Sequence, residues 1–210
     1  MKKQIVHILN MQMEAVNMPE LIKKPEIIVF TGPNGSGKST VTKYAKVIHP
    51  YINADDIKKA TLCNDLEAAQ KAEELRNKYL NEHKDFTFET VLSTRRNLDL
   101  LIKAKQNGYF IRCIYVITSS SDINVLRVKI RKSKGGHDVP EDKIRTRYNR
   151  CLELIPELIQ VCDVFHLYDN TKEPFRIFKK RKTEYFFWEN NFWSKDKIRK
   201  LTGVSFGESL

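Results

Sequence analysis

The chain has 210 residues, of which 41% are hydrophobic and 30% charged, with a formal net charge of +11. That length and balance describe one ordinary globular domain and exclude a disordered segment. The longest apolar runs, such as IIVF at 27 to 30, fall far short of the roughly 20 residues that a membrane-spanning helix needs.

The excess charge is local. Residues 126 to 150 carry nine basic residues against three acidic ones, and residues 172 to 182 carry six against one. The rest of the chain balances at 22 of each sign. The surplus therefore marks two anion-facing or solvated surfaces rather than a generally basic protein. Cys63, Cys113, Cys151 and Cys162 form no CxxC pair, which predicts reduced thiols rather than a disulfide framework or zinc site. The N-terminal MKKQIVHILNM is interrupted by polar residues and lacks a cleavage site, so a cytoplasmic location is expected.

In chain order, residues 1 to 24 are expected to be an irregular or helical extension, and PEIIVFTG a buried strand ending in glycine. A helix over 37 to 48 follows, then a short strand at 51 to 54 and a long polar helix over 65 to 83. FTFETVL at 86 to 92 is the next strand, 95 to 107 a helix closed by Gly108, and YFIRCIYVIT at 109 to 118 another strand. Helices over 121 to 133 and 141 to 161 flank KGGHDVP, and DVFHLYDN at 163 to 170 is the last core strand. This alternation predicts an α/β fold of three layers, a mainly parallel sheet with helices on both faces and ligands at the carboxyl ends of the strands. The domain division expected is an extension over 1 to 24, a core over 25 to 171, and a C-terminal extension over 172 to 210 packed on it.

GPNGSGKS at 32 to 39 satisfies GxxxxGK[ST], with a strand before it and a helix after it. Gly32, Gly35 and Gly37 let the backbone curl so that successive N–H groups converge on an anion. Gly32, Pro33, Asn34, Gly35, Ser36, Gly37, Lys38, Ser39 and Thr40 thus form the expected ATP-phosphate site. Lys38 would bridge the β- and γ-phosphates, and Ser39 would ligate Mg²⁺, with Asp55 or Glu89 able to reach the ion through water. No guanine-reading NKxD motif, Walker B acid pair or transporter signature follows. A small phosphotransferase remains.

Its acids lie at other strand ends. INADD places Asp55 and Asp56 after the second strand, and FTFET places Glu89 at the third. Asp55 is the candidate general base for an attacking hydroxyl, against the plainer role of capping a helix. Glu89 suits a substrate or metal contact, unless it pairs with Arg95 or Arg96. Arg127 and Arg131 lie four apart on one helix, and Arg145, Arg147 and Arg150 on the next. A glycine-containing loop between two arginine-bearing helices suits a lid that clamps a transferring phosphoryl group.

GPNGSGKST, INADD, FTFET and above all KGGHDVPEDKIRTRYNR with CLELIPELIQVCDVFHLYDN resemble the zeta toxin family of P-loop kinases over residues 26 to 171. The resemblance implies a kinase-type P-loop fold close to nucleoside monophosphate kinases. It also implies ATP-dependent phosphorylation of a nucleotide sugar such as UDP-N-acetylglucosamine, and an antitoxin partner. On this sequence Lys38 and Ser39 match the phosphate and Mg²⁺ positions, Asp55 the base, Glu89 and Thr90 the substrate contacts, and Arg131 and Arg147 the catalytic lid arginines. Asn53 joins the substrate contacts.

Two other functions stay open: a polynucleotide or nucleoside kinase on the same scaffold, and a nucleotide-gated ATP-binding protein without acceptor turnover. The basic window at 172 to 182, with Tyr185, Phe186, Phe187, Trp188, Phe192 and Trp193, has the composition of a single-stranded nucleic-acid surface. Aromatics at strand spacing also pack on cores, and KKRK also makes a solvated edge. The latter arrangement is the one expected here.

Overall fold

The computed structural model describes residues 23–136 and 138–204; the extension expected over 1 to 24 lies almost entirely outside the described residues. Strand β1 (Glu26–Thr31) is apolar on both sides because it runs at the centre of a sheet covered on both faces. Its parallel neighbours are β3 (Phe86–Thr90) and β4 (Phe110–Ile117). Beyond them lie β2 (Tyr51–Ile52), β5 (Val164–Asp169), and the antiparallel β6 (Phe175–Arg181) and β7 (Glu184–Phe187). The seven strands follow the order β2-β3-β1-β4-β5-β6-β7. The register sets Phe30 beside Glu89 and Thr31 beside Thr90, so both expected substrate contacts lie next to the residues that lead into the glycine loop.

The helices are α1 (Lys38–Thr42), α2 (Ala54–Thr61), α3 (Asp65–Asn81), α4 (Arg95–Gln106), α5 (Ser121–Ser133), α6 (Glu141–Glu153), α7 (Ile155–Val161) and α8 (Lys195–Thr202). They cover the sheet unequally. Ile27 and Val29 pack with Leu80 of α3, Leu98 and Leu101 of α4, Leu158 of α7 and Ile198 of α8. Ile28, Phe30, Ile114 and Val116 on the opposite face meet a thinner layer of Val41, Ala45, Val47 and Ile48.

Three boundaries differ from expectation. The helix predicted over 37 to 48 ends at Thr42, where Tyr44 and Ala45 bond back to the carbonyls of Val41 and Thr42. Such three-residue closures are turns, and the β-branched run Thr40–Val41–Thr42 has little preference for continuing a helix. The second strand ends at Ile52 because Asn53 starts a helix that the sequence reading lacks: its side chain accepts from the Asp55 N–H at 2.9 Å. The helix expected over 141 to 161 breaks at Leu154, since Pro156, in the first turn of α7, has no N–H to continue the ladder.

The tail follows a two-residue alternation, interrupted by a register shift opposite Leu167 and Tyr168, where Ile177 and Phe178 both meet the core. Ile177, Phe178, Tyr185 and Phe187 turn to the main core with Phe192 and Trp193, while Phe186 is 40% exposed. KKRK is not a solvated edge, because β7 pairs with β6 outside it and Lys180 points inward. The Lys180 ammonium donates to the carbonyls of Ile159 at 2.6 Å and Gln160 at 3.3 Å, where a cation complements the carboxyl end of α7.

His166 of β5 lies opposite Lys179. Burial, reinforced by the cations of Arg176, Lys179 and Arg112, pushes its imidazole down to about 4. The unfolded chain therefore binds more protons between about pH 6.5 and about pH 4, and stability falls as pH drops through that window. Replacing His166 by Gln is expected to flatten the fall of the melting temperature between pH 6.5 and pH 4; an unchanged slope would assign the acid lability elsewhere.

Candidate active site

The loop between β1 and α1 is shaped by positions that admit only glycine. Gly37, the N-cap of α1, has φ +86°, and a Cβ there would lie 2.1 Å from Nδ2 of Asn170. Gly35 has φ +78°, and its Cβ would meet the Asn124 carbonyl at 2.5 Å. The loop is thus clasped by two buried asparagines. Asn124 Nδ2 donates to the Asn34 carbonyl at 2.7 Å, and Asn170 Nδ2 to the Ser36 carbonyl at 2.8 Å. Because α1 has only five residues, the loop's own N–H groups, rather than a long helix dipole, supply the anion field.

This cradle fits a polyphosphate. The Ser36 hydroxyl in the same turn is buried with no hydrogen-bond partner among the described residues. The Lys38 ammonium donates to the carbonyls of Gly32 at 3.0 Å and Pro33 at 3.3 Å, which folds it over the loop. Burial holds it below the usual lysine range, against the opposing influence of Glu89, Cys151 and Asp55 and with that of Arg131. Lys38, Glu89, Asp55 and Arg131, far apart in sequence, therefore share one electrostatic neighbourhood. Ser39 and Thr40 sit exposed in the first turn of α1. Among the described residues no three His, Cys, Asp or Glu side chains form a metal cage. One hydroxyl with carboxylates nearby fits Mg²⁺, which keeps waters and takes phosphate oxygens as its main ligands.

Asp55 is exposed in the first turn of α2. The cap is Asn53, so the Asp55 carboxylate is not the group that starts the helix. Asn53, expected at the substrate, instead has its side-chain oxygen engaged in that cap. Glu89 accepts from the Tyr51 hydroxyl at 2.7 Å, and burial together with Glu89 pushes that phenol above its ordinary range. Arg95 and Arg96 are engaged elsewhere, with Glu157 at 2.7 Å and Glu73 at 3.1 Å, so neither neutralises Glu89. The Thr90 hydroxyl accepts from Asn97 Nδ2 at 2.7 Å.

The five arginines expected to form a lid divide by what stands opposite them. α6 is fixed by its buried residues Ile144, Tyr148 and Cys151, with the Tyr148 hydroxyl donating to the Thr118 carbonyl at 2.6 Å. This sets Arg147 at the loop, its Nη1 donating to Asn34 Oδ1 at 3.4 Å. Arg145 is held by Asp122 at 2.6 Å and Glu141 at 2.8 Å, so it latches α6 to α5 rather than facing a phosphate. Arg127 donates to the Thr171 carbonyl at 3.1 Å, and Arg150 is exposed. Asn124, Asn170, Tyr51, Asn97 and Tyr148 escaped the sequence reading. Only Tyr148, within the quoted KGGHDVPEDKIRTRYNR, and Asn170, at the end of the quoted HLYDN, carried any signal.

Asn170 offers a direct check on the clasp. Asn170→Ala is expected to lower ATP affinity about tenfold, roughly one lost hydrogen bond to the loop, as read by calorimetric titration. Unchanged affinity would mean that the loop keeps its shape without the clasp.

No family model matches the chain. Among solved structures, the PezAT chromosomal toxin-antitoxin system of Streptococcus pneumoniae aligns over 99% of this chain and 91% of the other, at 12% identity and TM-score 0.56. The AvrRxo1-ORF1:-ORF2 complex with ATP aligns over 89% of this chain and 67% of the other, at 13% identity and TM-score 0.66. The Pnkp1/Rnl/Hen1 RNA repair complex aligns over 64% of this chain, at 17% identity and TM-score 0.51, and this chain spans only 46% of that one. These likenesses establish the fold alone, a mostly parallel seven-stranded sheet flanked by helices. In sequence, an uncharacterized protein of Haemophilus influenzae is 30% identical over 135 residues, which are 60% of this chain and 95% of the relative. A match of that identity over nearly the whole relative places this chain in the same family as the Haemophilus influenzae protein.

Proposed function

We propose that this protein is an ATP-dependent kinase that transfers the γ-phosphate to a hydroxyl of a small acceptor, a nucleotide sugar such as UDP-N-acetylglucosamine. The observation that carries the proposal is the glycine loop clasped by Asn124 and Asn170, with Lys38 folded over it, Arg147 at Asn34 and Glu89 in register beside the strand that leads into it. In this reading the loop N–H groups and Lys38 hold the phosphates, and Asp55 accepts the acceptor's hydroxyl proton. The new oxygen–phosphorus bond forms as the β–γ bridging bond breaks and ADP leaves. Arg147 and Arg131 balance the charge on the transferring group. Glu89, oriented by Tyr51, and Thr90, oriented by Asn97, hold the acceptor. Ser39 would help to hold Mg²⁺, which supplies charge neutralisation of the phosphates when bound.

The neighbours support ATP as donor, since one of them was solved with ATP, and toxin-antitoxin membership of another supports an antitoxin as a partner to look for. A second reading, a polynucleotide kinase, has the cationic and aromatic face of β6 and β7 in its favour. Labelled ATP offered with uridine-diphosphate sugars, nucleosides and 5'-hydroxyl oligonucleotides separates them. The proposal expects label on the nucleotide sugar; label on oligonucleotides alone would replace it with the second reading.

A further inference from the structure

The face of β5, β6 and β7 turned away from the main core carries Tyr168, Arg176, Lys179, Phe186 and Trp188. None of the last four belongs to an apolar cluster. The Arg176 guanidinium lies 4.6 Å from the Trp188 ring centre, and the Lys179 ammonium 5.4 Å from that of Phe186. The two rings stack with their centres 6.2 Å apart at 17°. Arg112, the next cation along this face, is matched by Glu26 at 3.0 Å. Among the described residues, Arg176 and Lys179 form no salt bridge. Arg176 Nε and the neighbouring His166 Nδ1 are buried without hydrogen-bond partners among the described residues.

We propose that this face is a binding surface for single-stranded nucleic acid, with Phe186 and Trp188 stacking bases and Arg176 and Lys179 holding phosphates. A folded sheet that offers neighbouring flat rings and unneutralised cations matches what an unpaired strand presents: accessible base faces and a charged backbone. A duplex hides its base faces, and an acidic peptide has no use for two parallel rings. The depressed His166 described above fits a field of uncompensated cations that a phosphate would neutralise. The surface is built by β5, β6 and β7 rather than by the glycine loop between β1 and α1, so the proposal does not rest on the kinase reading.

The test is fluorescence anisotropy with labelled 12-residue oligouridylate and oligothymidylate at low salt. The full chain is expected to bind, with a salt slope near −1.4 for two phosphate contacts to a single strand, about −0.7 per contact. The double change Arg176→Glu with Lys179→Glu is expected to lower affinity at least tenfold, as is Trp188→Ala. Phe186→Ala and Lys179→Ala, at partly exposed sites, give the same direction if the double variant is unstable, and Lys179→Arg retains binding. Lys38→Ala is expected to leave oligonucleotide affinity unchanged. The proposal is overturned by no binding at low salt, by equal affinity for a duplex of the same length, or by loss of binding in Lys38→Ala with retention in the charge-reversed variant.

Discussion

Lys38→Ala is expected to abolish ATP binding in the micromolar range and to lower turnover at saturating ATP by about 10²- to 10³-fold, the loss typical of one preorganised donor to developing charge. The reason is visible without ligand. The Lys38 side chain is half-buried, its ammonium is held below its usual range by burial, and among the described residues only the Gly32 and Pro33 carbonyls accept from it. A desolvated cation satisfied so sparsely is costly to the folded chain, and a triphosphate is the group that would offset that cost. Two results therefore belong together. Without ATP, the variant should melt no lower than the wild type, because removing a half-buried, sparsely satisfied charge relieves the fold. With ATP, the wild type should gain about 2.7 kcal/mol at a ligand concentration one hundred times Kd, and the variant nothing. Thermal melts with and without ATP check both, and a variant that melts lower yet keeps its ATP response would contradict the placement.

Asp55→Ala is expected to behave in the opposite manner. ATP affinity should stay within about threefold, while acceptor-dependent transfer should fall by about 10²- to 10⁴-fold, the usual contribution of a positioned base. The cap geometry makes this substitution unusually clean, because Asn53 and not Asp55 caps α2, so the helix should survive. Asp55→Asn keeps the shape and removes only the basicity; its loss of transfer should match that of the alanine. Asn53→Ala is the contrasting change, removing a cap worth about 1 kcal/mol and lowering the melting temperature. If Asp55→Asn transferred phosphate at the wild-type rate, Glu89 would take its place as the candidate base.

The parts legible in the sequence are those written in local spacing. The glycine loop was readable because its geometry depends on residues within eight positions of one another, and the central strands because both of their faces are apolar. INADD shows where such reading stops. Its asparagine followed by acids is also the signature of a helix start, and the cap falls to Asn53 rather than to the acids. Asn124 and Asn170 lie 90 and 134 residues from the loop carbonyls they hold, and no local pattern marks an asparagine for that task. The lid arginines were legible as a cluster but not as individuals. Arg145 and Arg147 have equal charge and differ only in whether Asp122 and Glu141 or Asn34 stands opposite. In the tail, the alternation of Tyr185, Phe186, Phe187 and Trp188 could have been divided between two faces from the strand period alone.

The most direct test of the kinase reading is a single-turnover experiment with γ-labelled ATP and excess enzyme, following the label with and without a uridine-diphosphate sugar. The acceptor is expected to accelerate loss of ATP, the label to appear on the acceptor rather than as free phosphate, and Asp55→Asn to abolish both. Loss of ATP at one unchanging rate with every acceptor tried, and equally in Asp55→Asn, would contradict it.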